Sequence, residues 1–203
     1  MIRVKTERKV SVFLVESMSA DDLYDGLVEA EALAQILRLL GVEAACRTVV
    51  DRAHLSKAFQ QANCLGTSIL HFGCHASQGG FNLTSEKDLS WDDLAMIAEN
   101  QLEKAVLCLS ACEAGNIAAA KAFQKRGAPP SYIVGPETDV GYAQACVAWS
   151  VFYHYLCENG ISRHHMQIAM NRMNEAVDGE FLYRRWTGNK YLRYPSAKKD
   201  RNG

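Results

Sequence analysis

Five short apolar runs, spaced by stretches of helical period, constrain this chain more than any other feature of its sequence. They are VSVFLVES (10–17), VEAACRTVV (42–50), TSILHFGCHA (67–76), KAVLCLSAC (104–112) and SYIVG (131–135). The first, third and fourth lack the polar alternation of a strand with one wet face, so they read as strands buried on both sides. Between them the period changes. Asp21 and Asp22 open a helix predicted to run to Leu40, with Leu23, Leu27, Ala30, Leu33, Ala34 and Leu37 on one stripe and Gly41 as its stop. Further helices are predicted over 51–63, 91–100, 116–126, 141–158 and 162–178, the third opened by Ser90 with Asp93 three places on. Strands alternating with helices imply parallel βαβ units. The expected fold is α/β: an open, mainly parallel sheet with helices on both faces. Such sheets bind ligands at the carboxyl ends of their strands, here Glu16-Ser17, His75-Ala76, Cys112-Glu113 and Gly135-Pro136.

A chain of 203 residues is about one domain long, and a formal net charge of -1 gives no global field that calls for nucleic acid. That total hides an asymmetry. Residues 184–203 hold seven Lys or Arg against one Asp, so residues 1–183 are expected to form the single domain and 184–203 a basic tail. Trp186, Tyr191 and Tyr194 interleave with those charges, a pattern compatible with single-stranded nucleic acid but commoner in solvated or packed-back tails. Seven cysteines make an odd number for a disulfide framework, and the first apolar run stops at Glu16, too short for a signal-peptide core. A reducing, cytoplasmic location is the expectation. Residues 140–157 carry no charge but include Gln144, Ser150, His154 and three tyrosines, so they read as a buried helix rather than a membrane span.

Two strand ends carry chemistry. The third strand ends HFGCHAS and the fourth LCLSACEAGN. Side chains alternate along a strand, so His71, Gly73 and His75 share one face, Phe72 and Cys74 the other, and Cys108, Ser110 and Cys112 share a face as well. If the two strands are parallel neighbours, His75 and Cys112 meet in one crevice. A thiol needs an adjacent base to supply thiolate at neutral pH, and an imidazole can be that base. The backbone N–H groups of Cys112 and Ala76 are candidate oxyanion donors. Taken singly, a cysteine at the end of an apolar strand is more often a core thiol, and His71 reads as structural. The coincidence of both groups at successive central strand ends raises the catalytic reading above that.

ILHFGCHAS, LSWDDLA and KAVLCLSACEAGN together resemble the CHAT family of caspase-like cysteine peptidases. The likeness runs over about residues 65–178, through IVGPETDV and the two helices that follow. It implies a caspase-like fold, with His75 as base, Cys112 as nucleophile and no cofactor or metal. Ser-Ala-Cys in place of Gln-Ala-Cys, and 37 residues from His to Cys, suit the broader caspase-like group rather than an animal caspase. Ala76 stands where the family prefers Gly and Ala114 where Thr is common.

In that fold the pocket for the P1 residue, which precedes the scissile bond, would be formed by Glu16, Ser110 and the loop Glu137 to Asp139. Acidic groups there imply cleavage after Arg or Lys. The resemblance further implies a protein or peptide substrate. Residues 113–130 are mostly helical and offer no spare linker for self-cleavage, so control by a separate regulatory protein is expected, with a bacterial defence or stress role. The alternative is a catalytically silent caspase-like interaction module. A zinc site on Cys74, His75, Cys108 and Cys112 is disfavoured, because the spacing matches no knuckle and Cys74 points away from His75.

Overall fold

The computed structural model describes residues 10–178 and 180–195. In chain order it has β1 (Val12–Ser17), α1 (Ala20–Tyr24), α2 (Glu29–Leu39), β2 (Ala44–Thr48), α3 (Arg52–Cys64) and β3 (Ile69–Cys74). Then come β4 (Ala76–Ser77), β5 (Gly80–Phe81), β6 (Leu89–Ser90), α4 (Trp91–Ile97), β7 (Val106–Ser110) and α5 (Ile117–Gln124). The chain closes with β8 (Tyr132–Pro136), α6 (Tyr142–Asn159), α7 (Arg163–Ala176), β9 (Phe181–Trp186) and β10 (Tyr191–Tyr194).

Seven strands form one sheet in the order β10-β9-β8-β7-β3-β1-β2. The five predicted strands are all present and mutually parallel, whereas β9 and β10 run antiparallel at one edge. Period-two alternation divides the core as expected. Phe13 and Val15, Leu70 and Phe72, and Leu107 and Leu109 pack under α3, α4 and α5, while Val12, Leu14, Ile69, Val106 and Cys108 face α2, α6 and α7. The chain leaves β1 for β2 on one side and returns to β3 on the other. This reversal opens a crevice above the ends of β1 and β3, next to β7.

Three features depart from the sequence expectation. The predicted helix from Asp21 to Leu40 is two helices, divided at Gly26, whose φ is +73°. Ala30, Leu33, Ala34 and Leu37 are buried as the stripe requires, but Leu23 in α1 and Leu27 just after the break stand exposed. The break has a distant cause. Glu16 Oε1, at the end of β1, accepts from Glu29 N at 2.6 Å and Ala30 N at 3.1 Å, so a strand carboxylate caps α2, whose own N-cap residue Val28 supplies no side-chain bond. Second, the polar loop after β3 contains a small antiparallel sheet, β4-β5-β6. Trp91, one residue past it, donates from Nε1 to Gln78 O at 3.0 Å.

The third concerns the basic segment. The boundary drawn before Arg184 falls inside β9, and Arg184 through Tyr194 contribute to the last two strands of the sheet. Charge made this stretch look solvated, yet its aromatics are used in packing: Tyr194 stacks on Tyr183, Trp186 lies against Tyr191, and Tyr191 OH donates to Pro130 O at 2.7 Å. Arg184 is itself buried, with Nε donating to Gly115 O at 3.1 Å. Among the described residues no helix is long and apolar enough to cross a membrane. A chain ending at Tyr183 would lose β10 and half of β9 and bare the edge of β8. It is expected to lose its cooperative thermal transition, by calorimetry, where removal of a mere tail would leave that transition in place.

Candidate active site

β3 and β7 are parallel neighbours, and their register pairs Gly73 with Ser110. His75 and Cys112 each lie two residues beyond that pair, just past the last hydrogen-bonded strand positions. Glu113, immediately after the cysteine, has φ of +56°, a left-handed conformation that costs a non-glycine residue about 1 kcal/mol. Its carboxylate accepts from Gln78 N at 3.2 Å and Gln78 Nε2 at 3.0 Å, and so ties the loop after His75 to the turn after Cys112. Gly115 closes this turn, donating from N to Pro136 O at 2.7 Å; a Cβ there would lie 2.6 Å from Gly135 O, so no larger residue fits.

The imidazole of His75 is about half exposed and is held from one side. Its Nε2 lies 2.6 Å from Asp22 Oδ2 and 3.3 Å from Tyr142 OH. Donation from Nε2–H to the carboxylate fixes the tautomer and leaves Nδ1 as the basic nitrogen. Asp22 is positioned by α1, where it also closes a capping box with Ser19. Desolvation would raise its pKa, but the hydrogen bonds from His75 and Ser19 win and hold the carboxyl down at about 2. The Cys112 thiol is half-buried and directed at Val140 O, 3.8 Å away in the loop leading to α6. Among the described residues no hydrogen bond joins this sulfur to the imidazole.

The residues assigned to the substrate pocket fare differently. Glu16 is buried and committed to α2, as described above. Ser110 is buried too, its Oγ donating to Glu29 Oε2 at 2.6 Å and accepting from Trp149 Nε1 at 2.8 Å. Glu137 is paired with Arg193 of β10, Nε to Oε1 at 3.3 Å, and Asp139 is exposed. Ala76 sits half-buried on β4 opposite Phe81. The four therefore do not form one open acidic pocket. Glu29 is the group that sequence reasoning missed: an acid at the first position of a helix looks like an ordinary charge on a dipole. Here it is buried, and desolvation pushes its pKa up to about 8, with the Ser110 bond lowering it and Glu16 raising it further.

His71 is buried and structural, its Nδ1 2.7 Å from Tyr153 OH, and burial pushes its pKa down to about 3. Cys74 and Cys108 lie on opposite faces of the sheet. Among the described residues no three His, Cys, Asp or Glu side chains converge as a metal site would require.

No family model matches this chain, and no curated protein sequence matches it. Solved structures do. The Arg specific cysteine proteinase gingipain R (RgpB) superposes with a TM-score of 0.52 at 18% identity, over 83% of this chain and 44% of that one. A complex of Porphyromonas gingivalis RgpB pro- and mature domains gives a TM-score of 0.52 at 15% identity, over 83% and 45%. The chain has a caspase-like fold. It spans less than half the length of the gingipain chains it matches, and the narrower likeness to CHAT proteins rests on the sequence motifs.

The Asp22–His75 contact has a pH signature. A carboxylate held below its ordinary value contributes stability that is complete above about pH 4 and is lost as pH falls through about 2. Asp22 is expected to titrate near pH 2 by carbon-detected NMR, and Asp22→Asn to flatten the loss of stability between pH 4 and 2. Titration of Asp22 near 4 would show that the contact does not form in solution.

Proposed function

We propose that this chain is a cysteine endopeptidase in which Cys112 is the nucleophile, His75 the base and Asp22 the residue that positions His75. The observation carrying this is the Asp22–His75 bond at the strand end next to Cys112. A carboxylate on Nε2–H leaves the opposite nitrogen free to act, which a structural surface histidine has no need of.

In this mechanism Nδ1 takes the Sγ proton and the thiolate adds to the scissile carbonyl carbon. The carbonyl π pair moves onto oxygen, where the Cys112 and Ala76 N–H groups are the proposed donors. As the intermediate collapses, the C–N bond breaks and the imidazolium passes its proton to the leaving amine. Asp22 stabilises the imidazolium in between. Water, deprotonated by His75, then cleaves the thioester and restores the thiol. The thiol, which rests toward the Val140 carbonyl, turns to the imidazole for the first of these steps.

Arg or Lys is the proposed P1 residue, in keeping with the buried acids behind the dyad. The segment between Cys112 and β8 is short and contains α5, which favours control by a separate protein over self-cleavage. A cytoplasmic setting, which the odd number of cysteines supports, and a bacterial defence or stress role, which rests on the motif likeness, complete the proposal.

A catalytically silent interaction module is the second reading, favoured by the thiol's turn toward Val140 O. Labelling with an acyloxymethyl ketone carrying P1 Arg separates the two. The expected result is covalent modification of Cys112, abolished in Cys112→Ala, about 100-fold slower in His75→Ala and about tenfold slower in Asp22→Asn. Labelling indifferent to His75, or none in the presence of the chain's native neighbours, would favour the silent module.

A further inference from the structure

The chain buries a carboxyl group with an unused oxygen directly below the proposed dyad. Glu29 is 6% exposed, its Oε2 accepts from Ser110, and among the described residues its Oε1 has no hydrogen-bond partner. Leaving a buried polar atom unpaired costs about 1–3 kcal/mol, so such an atom calls for an explanation. Among the described residues no cation supplies one. The nearest candidate, His71 Nε2, is 4.0 Å from Oε2, is fully buried and is neutral. The other polar or titratable groups around Glu29 are Glu16 on β1, Ser110 on β7, and Tyr142, Cys146 and Tyr153 on α6, none of them cationic.

Position gives the missing partner. Gly73 and Ser110 lie two residues below His75 and Cys112 on the paired strands, a descent of about 6.6 Å. A Cβ at Gly73 would lie 3.7 Å from Glu29 Oε2, 3.9 Å from Glu16 Cγ and 3.6 Å from Met18 Cε. Glycine at 73 thus puts no side chain of its own against Glu29 Oε2, and the neighbour on that side is the flexible thioether of Met18, which also accepts from Tyr142 OH at 3.2 Å. We infer that Glu29 is the counter-ion for the basic side chain that precedes the scissile bond, reached past Met18 over Gly73. This rests on the peptidase reading above. It moves specificity from Glu137, which is paired with Arg193, and the exposed Asp139 to a residue on α2 that no catalytic motif contains.

A guanidinium fits such a site because it can donate in parallel to both carboxylate oxygens. Its arrival ionises Glu29, so the proton held by the empty site is released on binding. The neutral isostere citrulline has the same shape and no charge. Selectivity for Arg over citrulline therefore reports charge at the P1 site, since both probes use the same dyad, and its change in Glu29→Gln assigns that charge.

The test compares labelling of Cys112 by acyloxymethyl ketones with P1 Arg and P1 citrulline. In the wild-type chain the Arg to citrulline ratio should rise about tenfold per pH unit toward pH 8 and level off above it. In Glu29→Gln the ratio should fall tenfold or more and lose its pH dependence. An Arg preference intact in Glu29→Gln, or a flat ratio between pH 6 and 9 in the wild type, overturns the assignment and leaves the peptidase standing. The wild-type pH series decides the matter even if the variant fails to fold. Absence of Cys112 labelling by either probe overturns the peptidase reading, and the Glu29 assignment with it.

Discussion

The parallel pairing of β3 with β7 is the interaction on which the rest depends. It sets Gly73 against Ser110, and with that single register it fixes which residues emerge side by side at the carboxyl edge. A slip of one residue would turn Ser110 from the α2 face to the α3 face and bring Leu109 into its place. Buried alternation on both sides guards against this: Phe72 and Leu109 belong to one core, His71 and Cys108 to the other face. Once the register is set, backbone strain at Glu113 and its carboxylate bridge to Gln78 hold the two loop ends together.

Acidic groups organise the second layer, and they are used in three ways. Glu16 acts on backbone, capping α2 from a strand end and forcing the break that leaves α1 as a separate turn. That turn then carries Asp22 to His75, so α1, which has no buried residue of its own, is retained through its capping box and this contact. Glu29 is held uncharged by burial, next to Ser110. Burial is the main cause of the raised pKa values of Glu16 and Glu29, and the nearby Glu16 raises that of Glu29 further.

Much of this was legible in the sequence, for local reasons. Continuous Val, Ile and Leu runs mark strands buried on both faces, and Ser90 with Asp93 or Ser162 before α7 mark helix starts through bonds three residues long. His75 and Cys112 were legible because each stands at the end of such a strand. What could not be read depends on distant partners. Glu16 is 13 residues from the amide it caps, and Glu137 is 56 from the arginine that neutralises it. Residues 184–194 were misjudged because Arg184 and Arg185 hide the burial of Phe181, Leu182 and Tyr183 just before them, and Arg184 itself is buried against Gly115 O.

In the proposed enzyme a thiol and a histidine at one strand edge stand above a buried acid that selects a basic side chain. A crystal structure of the chain alkylated by the P1 Arg probe tests it most directly. The prediction is a thioether on Cys112 Sγ, His75 still bound to Asp22, Met18 displaced, and the guanidinium against both oxygens of Glu29. A probe bound to another cysteine, or a guanidinium turned out to solvent with Met18 unmoved, would contradict it.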